Sequence, residues 1–149
     1  MLPKHVVDLL RLKGVPTSAI YMQPEMAFLK GHITKAGVFV ISPLPRIYGT
    51  EHVLLPCQGT NGVWRWYAWE YNTPEGRIAP LDAMQEATVC SDPTPENGSQ
   101  RAAMAFSDPI EWLKAGRQGQ LVTSMEVWRG RKQRMAAALE RAATSAALG

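Results

Sequence analysis

The most distinctive pattern along the chain is an aromatic stretch at residues 63–71. It contains three of the 5 tryptophans and two of the 4 tyrosines, and turn-forming residues flank it on both sides. Aromatic residues favour a pleated strand, and the flanking glycine, asparagine and proline indicate turns. Alternation along a strand places Arg65, Tyr67 and Trp69 on one face and the other two tryptophans on the opposite face. Such a strand is either the buried centre of a sheet or a binding surface with a packed back.

Three other segments predict strands beside this one. Residues 37–42 form a continuous apolar run with β-branched members, which is typical of a strand that is buried on both faces. Residues 46–57 predict a strand that bends at Gly49, because glycine permits a bulge, and residues 77–79 predict a short fourth strand. The connections are short and rich in turn residues, which favours an antiparallel meander. We expect residues 37–41, 52–55 and 63–70 to be strands of one sheet.

Helical spacing and capping residues predict helices on both sides of this sheet. Proline near the start and glycine past the end mark some of them, and capping residues mark the others, with Thr123 or Ser124 capping the last. Residues 91–100 are polar, contain two prolines and a glycine, and predict an exposed, mobile loop. The predicted helices cover residues 3–13, 24–31, 82–90, 107–116 and about 124–148.

These elements predict an α+β fold. We expect a small, mainly antiparallel sheet of about three to five strands, with helices packed against it before and after. A length of 149 residues suits one domain, and neither an internal repeat nor a boundary interrupts it, so residues 1–149 are predicted to form a single domain. With 46% hydrophobic and 19% charged residues, the composition indicates a globular chain and not a disordered one.

The sequence predicts neither membrane insertion nor export. Its longest apolar runs, such as residues 37–41, are far too short to cross a bilayer. Asp8 and Arg11 interrupt the apolar residues near the N-terminus, so no signal-peptide core is present. We therefore expect no membrane partner and a cytoplasmic location, in which Cys57 and Cys90 are reduced thiols.

Charge is distributed unevenly along the chain. The net charge is only +3, but residues 75–100 contain five acidic and one basic side chain. Residues 101–149 contain eight basic and four acidic side chains. An acidic middle followed by a basic end indicates a polarised surface, which can steer an anionic partner.

The last predicted helix carries most of this basic end. At 100° per residue, an apolar stripe that includes Trp128, Met135 and Leu139 runs along it, and several arginines lie beside the stripe. Two interpretations stay open: a packed helix with a solvated charged side, or a helix that contacts phosphates, for which the planar fork of arginine is well suited. The second interpretation makes candidate nucleic-acid contacts of Arg129, Arg131, Lys132, Arg134, Arg141 and, from the aromatic strand, Arg65.

The aromatic strand also has two interpretations. In the first interpretation, its tryptophans fill the core between sheet and helices, because aromatic side chains dominate core burial. Alternatively, one face is a platform on which Tyr67 and Trp69, beside Arg65, stack bases or grip a peptide. Arg65 motivates the second interpretation, since an arginine among aromatic residues is costly to bury without a partner.

Motifs for chemistry are scarce. The sequence has no phosphate-binding Gly-Lys-Ser/Thr loop, no dinucleotide fingerprint and no nucleophile elbow, so we assign no catalytic residue and no cofactor. No metal site is assigned either, because His32, His52, Cys57 and Cys90 lack the short paired spacings of zinc ligands. One acid–imidazole pair is conceivable, since His52 and Glu70 become neighbours if residues 52–57 and 63–71 form a hairpin.

The sequence therefore favours a non-enzymatic binding protein. The first expectation is a nucleic-acid partner held by the basic C-terminal helix. The alternative is a protein-binding adaptor or inhibitor that docks through the aromatic strand and the same helix. A second alternative is a small hydrolase or nuclease that uses His52 with Glu51, Glu70 and Glu75.

Overall fold

The structure, a computed structural model, describes residues 1–42, 49–59, 62–82, 89–91 and 104–148. For residues 89–91, 131 and 147–148 only the backbone is described. The helices are α1 (Lys4–Leu12), α2 (Thr17–Ile20), α3 (Pro109–Lys114) and α4 (Met125–Leu148). The strands are β1 (Ala27–Ile33), β2 (Phe39–Ile41), β3 (Thr50–Gln58), β4 (Trp64–Trp69), β5 (Ile78–Pro80), β6 (Val89–Ser91), β7 (Ala105–Phe106) and β8 (Gln120–Val122).

Five strands form one antiparallel sheet in the order β2-β1-β3-β4-β5. The hairpin of β3 and β4 lies at its centre, with Val53 opposite Trp69 and Gln58 opposite Trp64. This confirms the α+β fold and the three strands that the sequence placed in one sheet. The short strand predicted at residues 77–79 is also confirmed, since β5 pairs with β4.

The burial expected on both faces of residues 37–42 is wrong, because β2 is an edge strand and its Val40 and Ile41 are exposed. Strand β1 separates β2 from β3, so the predicted meander holds for β3, β4 and β5.

Three strands from the later part of the chain form a second, smaller sheet. Strand β8 pairs antiparallel with β6 and parallel with β7. The sequence predicted none of these three strands. They have only two or three residues each, and a period of two cannot be recognised over such a length.

The helix predicted at residues 24–31 is wrong, because this segment forms most of β1. The sequence of β1 is Ala-Phe-Leu-Lys-Gly-His-Ile, and Gly31 lies inside this strand instead of ending a helix. A Cβ atom at Gly31 would overlap the carbonyl oxygen of Val40 and lie 2.6 Å from Phe39 Cζ. The glycine is therefore needed for the close approach of β1 and β2.

The end of the helix predicted at residues 82–90 is also wrong, since Val89–Ser91 is strand β6. Residues 83–88 of that prediction lie outside the described residues, and so do residues 92–100 of the predicted loop. The predicted strand 46–57 corresponds to β3, with its first three positions outside the described part.

The remaining helix predictions are confirmed. Asp108 caps α3 by accepting a hydrogen bond from the Ile110 backbone N–H at 2.9 Å, and Pro109 takes the first helical position. Ser124 is the residue that caps α4, because its hydroxyl accepts from the Val127 N–H at 3.4 Å. Helix α1 lies within the predicted residues 3–13.

The main core lies between one face of the central hairpin and the helices. Val53, Leu55, Tyr67 and Trp69 supply the sheet side and are almost fully buried. The helices and β8 supply Val6, Leu10, Ala19, Ile20, Trp112, Leu113 and Leu121. A smaller cluster on the opposite face contains Phe39, Leu54, Ala68 and Ala79.

Arg117 links the end of α3 to the segment before β1. Its guanidinium is buried and donates hydrogen bonds to the carbonyl oxygens of Pro24, at 2.8 Å, and Ala19, at 3.3 Å. Burial lowers the pKa of this guanidinium from its ordinary value. Arg117 thus satisfies two backbone acceptors where the chain turns into the sheet.

Helix α4 has 24 residues, which by length alone is enough to cross a bilayer. Across the described ranges, no helix combines sufficient length with the apolar character that crossing a bilayer requires.

Candidate nucleic-acid interface

Helix α4 is attached to the rest of the protein near its beginning. Met125 and Trp128 are half-buried, and the Trp128 indole N–H donates to Gln120 Oε1 on β8 at 2.9 Å. From residue 132 to residue 146, every side chain is exposed. The greater part of α4 therefore offers its whole circumference to a partner.

Exposed cations occur along this helix. Arg129, Lys132, Arg134 and Arg141 are all exposed, and none of them belongs to an ion pair within the described residues. The Lys132 ammonium lies 4.5 Å from the centre of the Trp128 ring, which is a cation–π contact. Charges without acidic partners can approach phosphates without first breaking an internal pair.

The cations do not form one continuous stripe. Arg134 and Arg141 are seven residues apart, so they share a face and are separated by about 10 Å along the helix axis. Arg129 and Lys132 lie on other faces, as the helical period requires. Arg131 lies on the same helix, but its side chain is outside the described part.

Arg65 is not brought to this surface. It lies half-buried on β4, paired across the strands with Cys57. Within the described residues, no hydrogen bond, ion pair or ring contact joins Arg65 to α4. The two groups that the sequence placed in one candidate interface are thus on separate elements.

The aromatic face that the sequence offered as a platform is part of the core. Tyr67 is 1% exposed and Trp69 is 3% exposed, so neither ring offers a surface for stacking in this fold. Trp64, at the start of β4, is 49% exposed. The sequence showed which aromatics share a face, but not which of the two faces is covered.

The predicted neighbours His52 and Glu70 do meet across the central hairpin. His52 Nε2 is 3.8 Å from Glu70 Oε1, with both side chains almost fully buried. Arg77 clamps the same carboxylate through Nη2 to Oε1 at 2.8 Å and Nε to Oε2 at 3.1 Å. His52 Nδ1 lies 2.7 Å from the Thr50 carbonyl oxygen, which can only accept, so Nδ1 carries a proton.

Burial lowers the pKa of His52, although the Thr50 carbonyl and the Glu70 carboxylate act in the opposite direction. Arg77 already neutralises Glu70, and its charge lowers the pKa of His52 further. At neutral pH the imidazole is therefore uncharged, and it is closed to solvent. This geometry fits an internal cross-strand contact and leaves His52 no open surface toward a substrate.

The other acids proposed for a hydrolytic site lie apart from this cluster. Glu51 faces the opposite side of β3, where it accepts a hydrogen bond from the Tyr71 hydroxyl at 2.5 Å and contacts His5 at 3.3 Å. The Tyr71 contact lowers the pKa of Glu51, and burial together with Glu51 raises the pKa of Tyr71. Glu75 is exposed in the turn after β4. Glu51, Glu70 and Glu75 therefore lie in different places and are not grouped around His52.

The buried imidazole gives a pH prediction. Because the pKa of His52 is lower in the fold than the ordinary value of 6.5, its contribution to stability is fully present above pH 6.5. That contribution should be lost as the pH falls through the window below 6.5. We expect the unfolding free energy of the wild type to decrease more steeply between about pH 6.5 and pH 5 than that of His52→Gln.

Urea titrations at several pH values measure this difference. His32→Gln is the matched control, since His32 is an exposed imidazole on the neighbouring strand β1 and its removal opens no interior space. Equal pH slopes in all three proteins would contradict the prediction.

Metal binding has no support from the described side chains. None of them form a cluster of three or more His, Cys, Asp or Glu residues that could hold an ion. His52 and Cys57 point to opposite faces of β3, so they cannot share a metal. The Cys90 side chain lies outside the described part.

Comparisons with protein families, with curated proteins and with solved structures gave no match.

Proposed function

We propose that this protein is a non-enzymatic nucleic-acid-binding protein whose helix α4 contacts the phosphate backbone. The observation that carries the proposal is the exposure of α4, along which four exposed cations have no acidic partner within the described residues. Phosphate contacts of this kind come mainly from arginine and lysine side chains and carry no sequence information.

The position of Arg134 and Arg141 suits this role. They lie on the face of α4 that points away from the apolar stripe, so a phosphate strand can approach both at once. Their spacing of about 10 Å spans more than one phosphate step of a duplex strand. With only a few contacts, we expect weak, sequence-independent binding, with a dissociation constant of about 10⁻⁴–10⁻⁶ M at physiological salt.

The test is charge reversal of Arg134→Glu with Arg141→Glu. Both side chains are exposed, and surface charges add little to stability, so the melting temperature should stay almost unchanged. Affinity for labelled DNA and RNA should fall alike for all sequences. The slope of log affinity against log salt should shrink by roughly one unit for each lost phosphate contact.

The matched control is Lys4→Glu with Arg11→Glu on α1. These two cations are also exposed, and their reversal changes the net charge by the same amount. The control should retain its affinity nearly in full. An equal loss in both double variants would mean that net charge alone drives binding, and absence of binding by the wild type at low salt would overturn the proposal.

A second candidate is protein binding as an adaptor or inhibitor. It is favoured by the exposed apolar side chains of α4, since Met135 is 58% and Leu139 is 69% exposed. Of the aromatic strand, only Trp64 is well exposed and offers such a partner a large ring. An apolar protein interface responds weakly to salt, whereas phosphate contact weakens steeply as salt rises.

A further inference from the structure

The apolar stripe of α4 has the spacing of a coiled-coil seam. Its positions alternate steps of four and three residues, which gives a period of 3.5 and keeps them on one side of the helix. The positions in order are Trp128, Lys132, Met135, Leu139, Ala142 and Ala146.

The body of the protein covers only the beginning of this seam. Trp128 is half-buried against β8, whereas every later position of the seam is exposed. Met135 and Leu139 are more exposed than most apolar side chains of a folded domain, with 58% and 69% of their surfaces accessible. Helices in proteins usually gain their stability by burying such a face, and no described element covers the later positions of this seam.

We propose that α4 pairs with α4 of a second copy of this chain, in antiparallel orientation. A pair centred near Ala137 places Met135 of one copy level with Leu139 of the other. The same centre places Lys132 level with Ala142, while Trp128 stays against β8. Each layer then combines a long side chain with a shorter or smaller one, so the two helices are matched in size along the seam.

Charge favours the same orientation. The first half of α4 carries four cations and one acid, whereas the second half carries only Glu140 and Arg141. An antiparallel pair places the basic half of each copy against the neutral half of the other. A parallel pair would place Lys132 against Lys132 within the seam, and like charges in one layer are repulsive.

The small residues flanking the seam support close approach of two helices. Ala136, Ala138, Ala143 and Ser145 border the seam on both sides, and none of them is large or charged. Arg134 and Arg141 lie outside the contact. The pairing therefore does not depend on the proposed phosphate contact.

Oligomeric state tests the inference. Analytical ultracentrifugation of the wild type across a range of concentrations should show a reversible dimer. Met135→Glu with Leu139→Glu should raise the dimer dissociation constant on the order of a hundredfold or more, because four buried side chains are lost per dimer. Ala137→Glu, on the outer face of the same helix, is the matched control and should leave the dimer intact.

The folded body should be unaffected by these changes, since all three positions are exposed; melting curves followed by near-ultraviolet circular dichroism check this. A wild type that stays monomeric at all concentrations would overturn the proposal. A dimer that persists in the Met135→Glu and Leu139→Glu double variant would assign the interface to another surface.

Cross-linking tests the orientation, in a background with Cys90→Ser. Chains with Lys132→Cys should form disulfides with chains that carry Ala142→Cys when the two are mixed. Neither variant alone should cross-link, because each new thiol lies about 15 Å along the axis from its own counterpart in an antiparallel pair. Disulfides within each variant alone, with none between the two different variants in the mixture, would indicate a parallel pair and refute the arrangement.

Discussion

Replacing Trp69 with alanine should lower the unfolding free energy by about 3–5 kcal/mol. The Trp69 ring is 3% exposed, lies in the main core and packs edge-on against Tyr71 with ring centres 6.3 Å apart. Its removal loses the transfer free energy of a large side chain and leaves a cavity between the sheet and the helices. Chemical denaturation followed by far-ultraviolet circular dichroism measures the change.

Trp64→Ala on the same strand is the matched control. Trp64 lies five residues earlier on β4 and is 49% exposed, so its removal should change the unfolding free energy by less than about 1 kcal/mol. The two variants make the same substitution in the same strand, at two positions that differ in burial. Equal losses in both variants would mean that the covered face of the sheet has been assigned incorrectly.

Gly31→Ala should destabilise the protein by about 3 kcal/mol or more, a large effect for one methyl group. The added Cβ would overlap the Val40 carbonyl oxygen and lie 2.6 Å from the ring of Phe39. A backbone oxygen in a strand ladder cannot move aside as a flexible side chain can, so β1 and β2 would have to separate.

Gly130→Ala, measured in the same denaturation experiment, should have the opposite sign. Gly130 lies inside α4, where a Cβ would approach Nη1 of the exposed Arg134 side chain at 3.5 Å, an ordinary contact distance. Alanine is favoured over glycine within a helix by about 0.5–1 kcal/mol. If Gly31→Ala left stability unchanged, the close approach of β1 and β2 would be refuted.

The proposed functions of α4 divide its surface between two partners. Arg134 and Arg141 lie on one side and the seam centred on Met135 and Leu139 lies on another. An antiparallel pair would bring two sets of cations into one particle and so increase the number of phosphate contacts. The two double variants separate the roles, because charge reversal changes the salt slope and the seam variant changes the molecular mass.

The sequence by itself determined the elements with long or strongly punctuated patterns. Helices α3 and α4 were predicted with their capping residues, and the central hairpin of β3 and β4 was predicted with the correct alternation of faces. The contact of His52 with Glu70 followed from that hairpin, since residues paired across two strands are close whatever else the chain does. These features depend on local periodicity and on residues close in sequence.

Tertiary structure decided the features that depend on distant partners. The segment from Pro24 to Gly31 has a proline and a glycine where a helix would begin and end. Its residues from Ala27 onward nevertheless form β1, because one edge of this strand pairs with β2 and the other with β3. Alternation placed Tyr67 and Trp69 on one face, but only the packing of α1, α2 and α3 made that face the core. Whether a face of a strand is buried depends on the elements that pack on it, and the alternation within the strand does not identify those elements.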